Sequence, residues 1–116
     1  MKMVYFACKK VDLEELYRCS FGISRTEYRI LMTLLKNSEP KSVEQLAIDF
    51  RKDRTTIQKA IQHLVKKKLV SRRQFNLQNG GYTYYYFVKD KDKIKKDLQN
   101  IIKNWYVSVL EAVKNT

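Results

Sequence analysis

Apolar residues recur at helical spacing over most of this chain and change to a strand-like pattern once, after Leu69. Apolar positions three or four residues apart form one stripe along a helix. On this basis the sequence predicts five helices, over residues 9–20, 24–37, 42–50, 53–69 and 90–114. Two strand-like runs, 70–77 and 82–88, are joined by an Asn-Gly-Gly sequence that favours a hairpin turn, because these residues accept positive φ.

Polar residues mark where three of these helices begin. Ser24 is followed three residues later by Glu27, and Ser42 by Gln45, which is the capping-box arrangement. In a capping box, the two side chains each satisfy a backbone N–H group that the helix leaves unpaired. Asp53 stands in the N-cap position of the fourth helix. The short third helix, a turn and the longer fourth helix together predict a helix-turn-helix.

Basic residues are concentrated in this same part of the chain. The 116 residues include 24 Lys or Arg and 12 Asp or Glu, which gives a formal charge of +12. Residues 51–88 contain nine Lys or Arg and the single acid Asp53, so one third of the chain holds two thirds of the excess charge. Such a segment favours phosphate binding through release of condensed counterions. A merely solvated basic surface is the alternative explanation.

Composition disfavours several other classes of protein. Three Gly, two of them adjacent, cannot supply a phosphate-binding glycine loop, and one His with two Cys cannot complete a four-ligand zinc site without carboxylates. We therefore expect no metal, no cofactor and no enzymatic activity. No apolar stretch approaches the roughly 20 residues of a membrane span, and the run 3–8 lacks the features of a signal peptide. The sequence predicts a cytoplasmic, chromosome-associated protein with no membrane partner.

The stretch from Phe21 to Val88 resembles the DNA-binding region of MarR-type and TrmB-like winged-helix regulators, in particular small archaeal ones. The resemblance rests on S-x-E-Q-L-A from Ser42, R-T-T-I-Q-K-A-I-Q-H-L from Arg54 and K-K-L-V from Lys67. It implies a mainly α fold with a small antiparallel β-hairpin, a winged helix-turn-helix with a long C-terminal dimerisation helix. The implied divisions are an N-terminal segment over 1–20, a DNA-binding domain over 21–88 and a dimerisation helix over 89–116.

In regulators of this kind, the longer helix lies in the major groove and the wing reaches phosphates or the minor groove. Apolar positions such as Ile57 and Ile61 fix the inner face of that helix, which turns its polar residues outward. The expected DNA-binding residues are Arg54, Thr55, Thr56, Gln58, Lys59, Gln62, Arg72 and Arg73. Arg54, Gln58 and Gln62 are expected at base edges, because Arg pairs with guanine and Gln with adenine. An ordinary exposed helix face is the alternative.

Three further features have two explanations each. The lysines at 66–68 end the reading helix, where they complement its dipole or bind DNA. The aromatic residues over 82–87 pack against the helices or stack on single-stranded bases. His63 has no partner as a metal ligand and is a possible phosphate or base contact.

The C-terminal helix carries an apolar stripe wider than a small helical core can cover. Exposed apolar area of that size usually marks an interface, and MarR-type proteins dimerise through terminal helices. The expected dimer residues are Ile94, Leu98, Ile101, Ile102, Trp105, Val109, Leu110 and Val113. The alternative is a terminal helix that folds back over its own domain.

The sequence therefore predicts a homodimeric, sequence-specific regulator of transcription that binds double-stranded DNA. An architectural chromosomal protein of the same fold, with little sequence preference, is the alternative. No small-molecule effector is assigned. Cys8 and Cys19 are expected to be reduced thiols, too far apart for an intrachain disulfide if one helix spans both, and an interchain redox switch is the minor alternative.

Overall fold

The computed structural model describes residues 3–5, 9–37 and 39–116. Its elements in chain order are β1 (Met3–Tyr5), β2 (Lys10–Asp12), α1 (Leu13–Phe21), α2 (Arg25–Lys36), α3 (Val43–Phe50), α4 (Arg54–Lys66), β3 (Ser71–Asn76), β4 (Tyr82–Phe87) and α5 (Lys91–Lys114). They form two compact units. One is Ile23–Lys89, and the other joins Met1–Gly22 to Asp90–Thr116.

The unit Ile23–Lys89 is held together by apolar side chains from its three helices. α2 and α3 each pack against α4. Burying an aliphatic side chain of this kind contributes about 1.5 to 3 kcal/mol to stability. The fully buried large side chains are Ile30, Leu31, Leu34, Leu46, Ile57, Ile61 and Leu64. Their spacing of three and four residues is the pattern from which these helices were predicted.

Both predicted capping boxes are present. The backbone N–H of Ser24 donates to Glu27 Oε1 over 2.7 Å, and the backbone N–H of Glu27 donates to Ser24 Oγ over 3.1 Å. Ser42 and Gln45 make the same reciprocal pair, over 2.9 and 3.2 Å. These bonds fix where α2 and α3 begin, and each such cap typically stabilises a helix by about 1 kcal/mol.

The turn between α3 and α4 depends on one residue in an unusual backbone conformation. Arg51 has a φ of 52°, in the left-handed region, and its N–H donates to the carbonyl of Ile48. The next N–H, of Lys52, reaches the carbonyl of Ala47, which closes the end of α3. Asp53 then caps α4 through a 3.0 Å bond from the N–H of Thr56. The sequence predicted this turn but not the left-handed Arg51.

β3 and β4 form the predicted antiparallel hairpin, the wing, with Ser71 opposite Phe87 and Asn76 opposite Tyr82. Gly80 and Gly81 both have positive φ, 87° and 79°, at its turn. β4 is also bonded to the residue before α3. Lys41 and Tyr86 exchange two backbone hydrogen bonds of 2.8 and 2.9 Å. This bridge attaches the wing to the helix-turn-helix.

α4 ends at Lys66, three residues earlier than the sequence pattern predicts. The helix stops because Lys68 has a φ of 63°, which lets the N–H of Leu69 reach the carbonyl of Leu64 over 3.0 Å. Leu69 is only 6% exposed, so it keeps the apolar period although it lies beyond the helix. The apolar spacing therefore predicts which side chains are buried, but it does not predict where the helix ends.

The first helix was predicted over 9–20, and that start was wrong. Residues 10–12 are the strand β2, which pairs with β1 in the register Met3 to Asp12 and Tyr5 to Lys10. α1 begins only after Asp12, whose carboxylate accepts a 2.8 Å bond from the N–H of Glu15. No N-cap was predicted for this helix from the sequence, and pairing with residues several positions away decided the strand.

The boundary of α1 also bears on the two cysteines. The expected separation of Cys8 and Cys19 assumes that one continuous helix spans both residues. The strand β2 interrupts such a helix, so that distance does not apply. Cys19 is a free, exposed thiol on α1, and Cys8 lies outside the described residues.

α5 runs for 24 residues, or about 36 Å at 1.5 Å per residue. It packs against α1 within the unit that joins the two ends of the chain. Ile94 and Leu98 are its buried residues. Across the part of the chain that the structure describes, no helix combines the length and apolarity needed to cross a membrane.

Candidate nucleic-acid interface

α4 separates an apolar inner face from a polar outer face, as the sequence predicts. Ile57 and Ile61 have no exposed surface, whereas Gln58 is half-buried beside them. The remaining proposed contacts on this helix are all exposed: Arg54, Thr55, Thr56, Lys59 and Gln62. A rigid helix therefore presents several hydrogen-bonding side chains along one side, which is the requirement for reading base edges in a groove.

A cleft of about 190 Å³ lies between the N-terminal ends of α3 and α4 and the strand β4. Its lining residues are Val43, Glu44, Arg54, Gln58, Tyr82, Thr83, Tyr84 and Tyr86. Two expected base-reading residues, Arg54 and Gln58, thus share one surface with tyrosines of the wing. The fold brings together the two elements that the sequence placed 20 or more residues apart.

Arg72 and Arg73 are both exposed, but they lie on opposite faces of the wing. Arg72 is opposite Tyr86, and its guanidinium carbon lies 4.4 Å from the ring centroid of Tyr84. Since Tyr84 and Tyr86 line the cleft, Arg72 belongs to the side of the wing that shares a surface with α4. Arg73 lies over the ring of Phe87 on the other side, 5.6 Å from its centroid.

Only one of the five aromatic side chains of β4 is buried. Tyr86 is 3% exposed, next to its bridge with Lys41, whereas Tyr82 is 58% exposed. Tyr82 and Tyr84 pack edge to face with ring centroids 5.5 Å apart. Packing within the protein accounts for the burial of Tyr86 and for the contact between Tyr82 and Tyr84. Stacking of these rings on single-stranded bases stays an untested hypothesis.

Glu44 makes a contact that the sequence reasoning missed. Its Oε1 lies 3.1 Å from Nη2 of Arg54, and both side chains are more than half exposed. Glu44 lies in the first turn of α3 and Arg54 begins α4, so the ion pair joins the two helices of the helix-turn-helix. The signal was an acidic residue inside the S-x-E-Q-L-A motif, close to a strongly basic segment.

His63 pairs with a buried acid through one ring nitrogen, and its side chain is 42% exposed. Its Nδ1 lies 2.5 Å from Oε2 of Glu27. Glu27 is 7% exposed, and its other oxygen accepts the bond from the N–H of Ser24. One carboxylate therefore caps α2 and attaches α2 to α4. This contact gives His63 a role in positioning α4, and a contact from His63 to DNA stays a prediction.

Replacing Glu27 with Ala should lower the free energy of unfolding by about 2 to 3 kcal/mol. The substitution removes the capping box and a hydrogen bond to a charged group, each worth about 1 kcal/mol or somewhat more. His63→Ala should cost about 1 to 3 kcal/mol, because it leaves a buried oxygen of Glu27 unpaired. Urea denaturation of both single variants and the double variant measures these losses.

The exposed acid Glu39 is the matched control, and Glu39→Ala should change stability by less than about 0.5 kcal/mol. The two contact variants should be non-additive, since they remove one shared interaction. Strictly additive losses would show that Glu27 and His63 act separately.

The carboxylate of Asp53 has a pKa below its usual value, because it accepts hydrogen bonds from the side chain and the backbone N–H of Thr56. A lowered pKa in the folded protein means that the carboxylate form is favoured by folding. Its contribution to stability is complete above the unfolded pKa of 3.8 and is lost as the pH falls through the lower folded value.

Asp53→Asn should keep a capping side chain while it removes this titration. The stability difference between the natural protein and the variant should be constant above about pH 5 and shrink as the pH is lowered further. Urea denaturation at several pH values measures it. A difference that stays unchanged down to pH 2 would show that folding does not favour the Asp53 carboxylate.

Positive charge continues at the C-terminal end of α4. Lys66, Lys67 and Lys68 are exposed where α4 ends, and both of the expected explanations for them fit that position. Within the described ranges, no group of three or more His, Cys, Asp or Glu side chains is arranged to hold a metal ion.

Comparison with known proteins extends these observations. Residues 18–92 match the model of the family described as sugar-specific transcriptional regulator TrmB. This match contains the whole unit Ile23–Lys89. An uncharacterised protein of Methanocaldococcus jannaschii, MJ1082, is 37% identical over 101 residues, which is 87% of this chain and 82% of that protein.

Solved structures agree with the family match. A possible transcriptional regulator from Methanosarcina mazei has a TM-score of 0.88 and 25% identity, over 98% of this chain and 96% of that one. A MarR family transcription regulator, SP03579, shares the fold alone, with a TM-score of 0.55 and 14% identity over 89% of this chain and 65% of that one. The MarR-like and TrmB-like fold expected from the sequence is confirmed. The chain belongs to the TrmB family and is a DNA-binding transcriptional regulator with a winged helix-turn-helix fold.

Proposed function

We propose that this protein is a homodimer that binds double-stranded DNA at specific sequences and regulates transcription at the chromosome in the cytoplasm. α4 lies in the major groove, and the wing contacts the backbone or the minor groove. The observation that carries this proposal is the cleft in which Arg54 and Gln58 of α4 meet Tyr82 and Tyr84 of the wing. A duplex whose major groove holds α4 then also reaches the wing, without any rearrangement of the unit Ile23–Lys89.

The chemistry of the outer face of α4 fits reading of base edges. Arg54 can donate two bonds to guanine, and Gln58 and Gln62 can each pair with adenine in a bidentate manner. Thr55, Thr56 and Lys59 supply a methyl group for thymine or a contact to phosphate. Gln58 is half-buried, which restricts the conformations open to its side chain before DNA arrives. That restraint favours specificity over general attraction to phosphate.

The dimer is supported by apolar side chains that α5 leaves exposed. Trp105 is 56% exposed, Leu110 49% and Val113 62%. Ile101 and Val109 are exposed on the same helix, and Ile102 is half-buried. A monomer would keep this stripe in water, which is unfavourable. We assign the dimer interface to the stripe from Ile101 to Val113.

Ile94 and Leu98 were expected in the same interface, but both are buried within one chain. They are 4% and 7% exposed within one chain, so little of either side chain is left for a partner. The N-terminal part of the stripe serves the fold of the chain itself, and the C-terminal part is proposed for the dimer.

A two-fold dimer predicts the form of the binding site. Two reading helices on one face of the duplex fall about 34 Å, or one helical turn, apart. The DNA site should then be a pseudo-palindrome with half-sites at that separation, because a two-fold protein reads the same sequence on both strands.

Selection from a pool of random duplexes tests the proposal. The protein should enrich a pseudo-palindromic sequence and bind it about a thousandfold or more above random duplex at physiological salt. An architectural protein of the same fold would lose affinity with salt but show no sequence preference. Recovery of unrelated sequences with equal affinity would overturn the regulator proposal in favour of that alternative.

Gln58→Ala and Gln62→Ala should each relax the preference at one position of each half-site by roughly tenfold, because each removes one bidentate pair. Affinity for random duplex should change little. Binding of single-base variants of the selected duplex measures this effect. Gln99→Ala is the matched control, since Gln99 is an exposed glutamine on α5. Uniform losses across all duplexes would contradict base reading by these residues.

A further inference from the structure

The ion pair between Glu44 and Arg54 places a negative charge where the proposed function needs positive charge. Among the residues that line the cleft, Glu44 is the acid and Arg54 the base. Each phosphate near this surface is repelled by Glu44, so the acid opposes general attraction to DNA. Since Glu44 weakens the general attraction to DNA, its presence in the cleft needs an explanation other than affinity for phosphate.

The geometry of Arg54 supplies the explanation. A guanidinium is planar and carries five N–H donors in a fixed arrangement. The 3.1 Å ion pair between Glu44 Oε1 and Arg54 Nη2 involves one nitrogen and restricts the positions open to the group. The other donors remain for a second acceptor, and the two acceptors of guanine, O6 and N7, match such a fork.

We propose that Glu44 is a positioning residue that holds Arg54 ready to read a base edge and restrains it from reaching phosphates. This inference rests on the proposed function. Since Arg54 is 71% exposed, its long side chain would otherwise be free to contact whichever phosphate is nearest. Glu44 thus lowers the affinity for DNA in general and raises the preference for one base, and both effects act through Arg54.

A simpler role for Glu44 is stabilisation of α3, because an acid in the first turn interacts favourably with the helix dipole. The two roles differ in what they change. A dipole effect alters thermal stability and leaves base preference intact. A positioning effect alters preference at one base of each half-site, and that base is the one that Arg54 reads.

The experiment uses the full chain, the duplex recovered from a random pool and a random duplex of equal length. Glu44→Gln should bind the selected duplex several-fold more weakly and the random duplex equally or more tightly, so that the ratio falls about tenfold. A second selection should show lost preference at the same position at which Arg54→Gln loses it. In the Arg54→Gln background, Glu44→Gln should no longer change the ratio.

Glu39→Gln is the matched control, because it changes the charge of the same unit by the same amount on an exposed residue outside the cleft lining. It should leave the ratio unchanged. The inference is overturned if Glu44→Gln keeps the ratio, or if its effect persists without Arg54. If the natural protein itself shows no preference for any duplex, the proposed function fails first, and the two failures are thereby distinguished.

Discussion

Val109→Glu should convert the protein into a monomer and lower its affinity for the selected duplex about a thousandfold. Val109 lies at the centre of the exposed stripe of α5, and a buried carboxylate without a partner is strongly unfavourable. A monomer binds one half-site at a time and loses the gain from two linked contacts, which is typically a factor of about 10² to 10⁴. Sedimentation equilibrium and titration of labelled duplex measure the two effects.

Val107→Glu is a control on the same helix. Val107 and Val109 are 44% and 39% exposed, so the two substitutions place the same charge on similar surfaces. At 3.6 residues per turn the two side chains point about 160° apart, and Val107 lies outside the stripe. This variant should remain dimeric and keep its affinity. If both variants were dimeric and bound DNA normally, the assigned interface would be wrong.

Replacing Arg72 and Arg73 together with Gln should weaken binding to every duplex about a hundredfold and lower the slope of log K against log salt by about two to four units. A dimer loses four positive charges, and each phosphate contact contributes about 0.9 to the slope of log K against log salt. Since phosphates carry no sequence information, the preference for the selected duplex over random duplex should be retained. Titrations at several salt concentrations measure both quantities.

The single variants separate the two arginines. Arg72 lies on the side of the wing that shares the cleft surface with α4, and Arg73 on the opposite side. Arg72→Gln should therefore produce the larger part of the loss. Lys95→Gln with Lys96→Gln on α5 removes the same charge from exposed positions and should have little effect. If this control lowered the affinity for DNA by the same amount, the wing arginines would act only through the net charge of the protein.

The organisation of the DNA-binding unit could be predicted because local signals agree with its packing. Ser24 with Glu27 and Ser42 with Gln45 marked helix starts that the structure contains. The apolar period from Ile57 to Leu64 gave the buried face of α4. In each case a few neighbouring residues decide the outcome, so one sequence suffices.

Other features depend on residues far apart in the chain. The contact between His63 and Glu27 joins positions 36 residues apart, and neither residue alone indicates it. β2 exists because residues 10–12 pair with 3–5, which overrides a loose helical spacing. The left-handed backbone of Arg51 and Lys68 follows from closure of helix ends and not from residue type.

The candidate site falls between these cases. The apolar period of α4 predicts which of its residues face outward. It does not predict that these residues share a surface with the wing. The backbone bridge between Lys41 and Tyr86 attaches β4 beside α3, and this attachment creates the cleft. Glu44 was part of a motif used to identify the fold, and its contact with Arg54 emerged only when the two helices were placed together.

Protection of guanine N7 from methylation in the complex with the selected duplex tests the central claim most directly. N7 lies in the major groove, so a helix inserted there shields it. Our account predicts two blocks of protected guanines with centres about one helical turn apart, and loss of protection at one guanine of each block in the Arg54→Gln variant. Methylation identical to that of free DNA would show that α4 does not occupy the major groove.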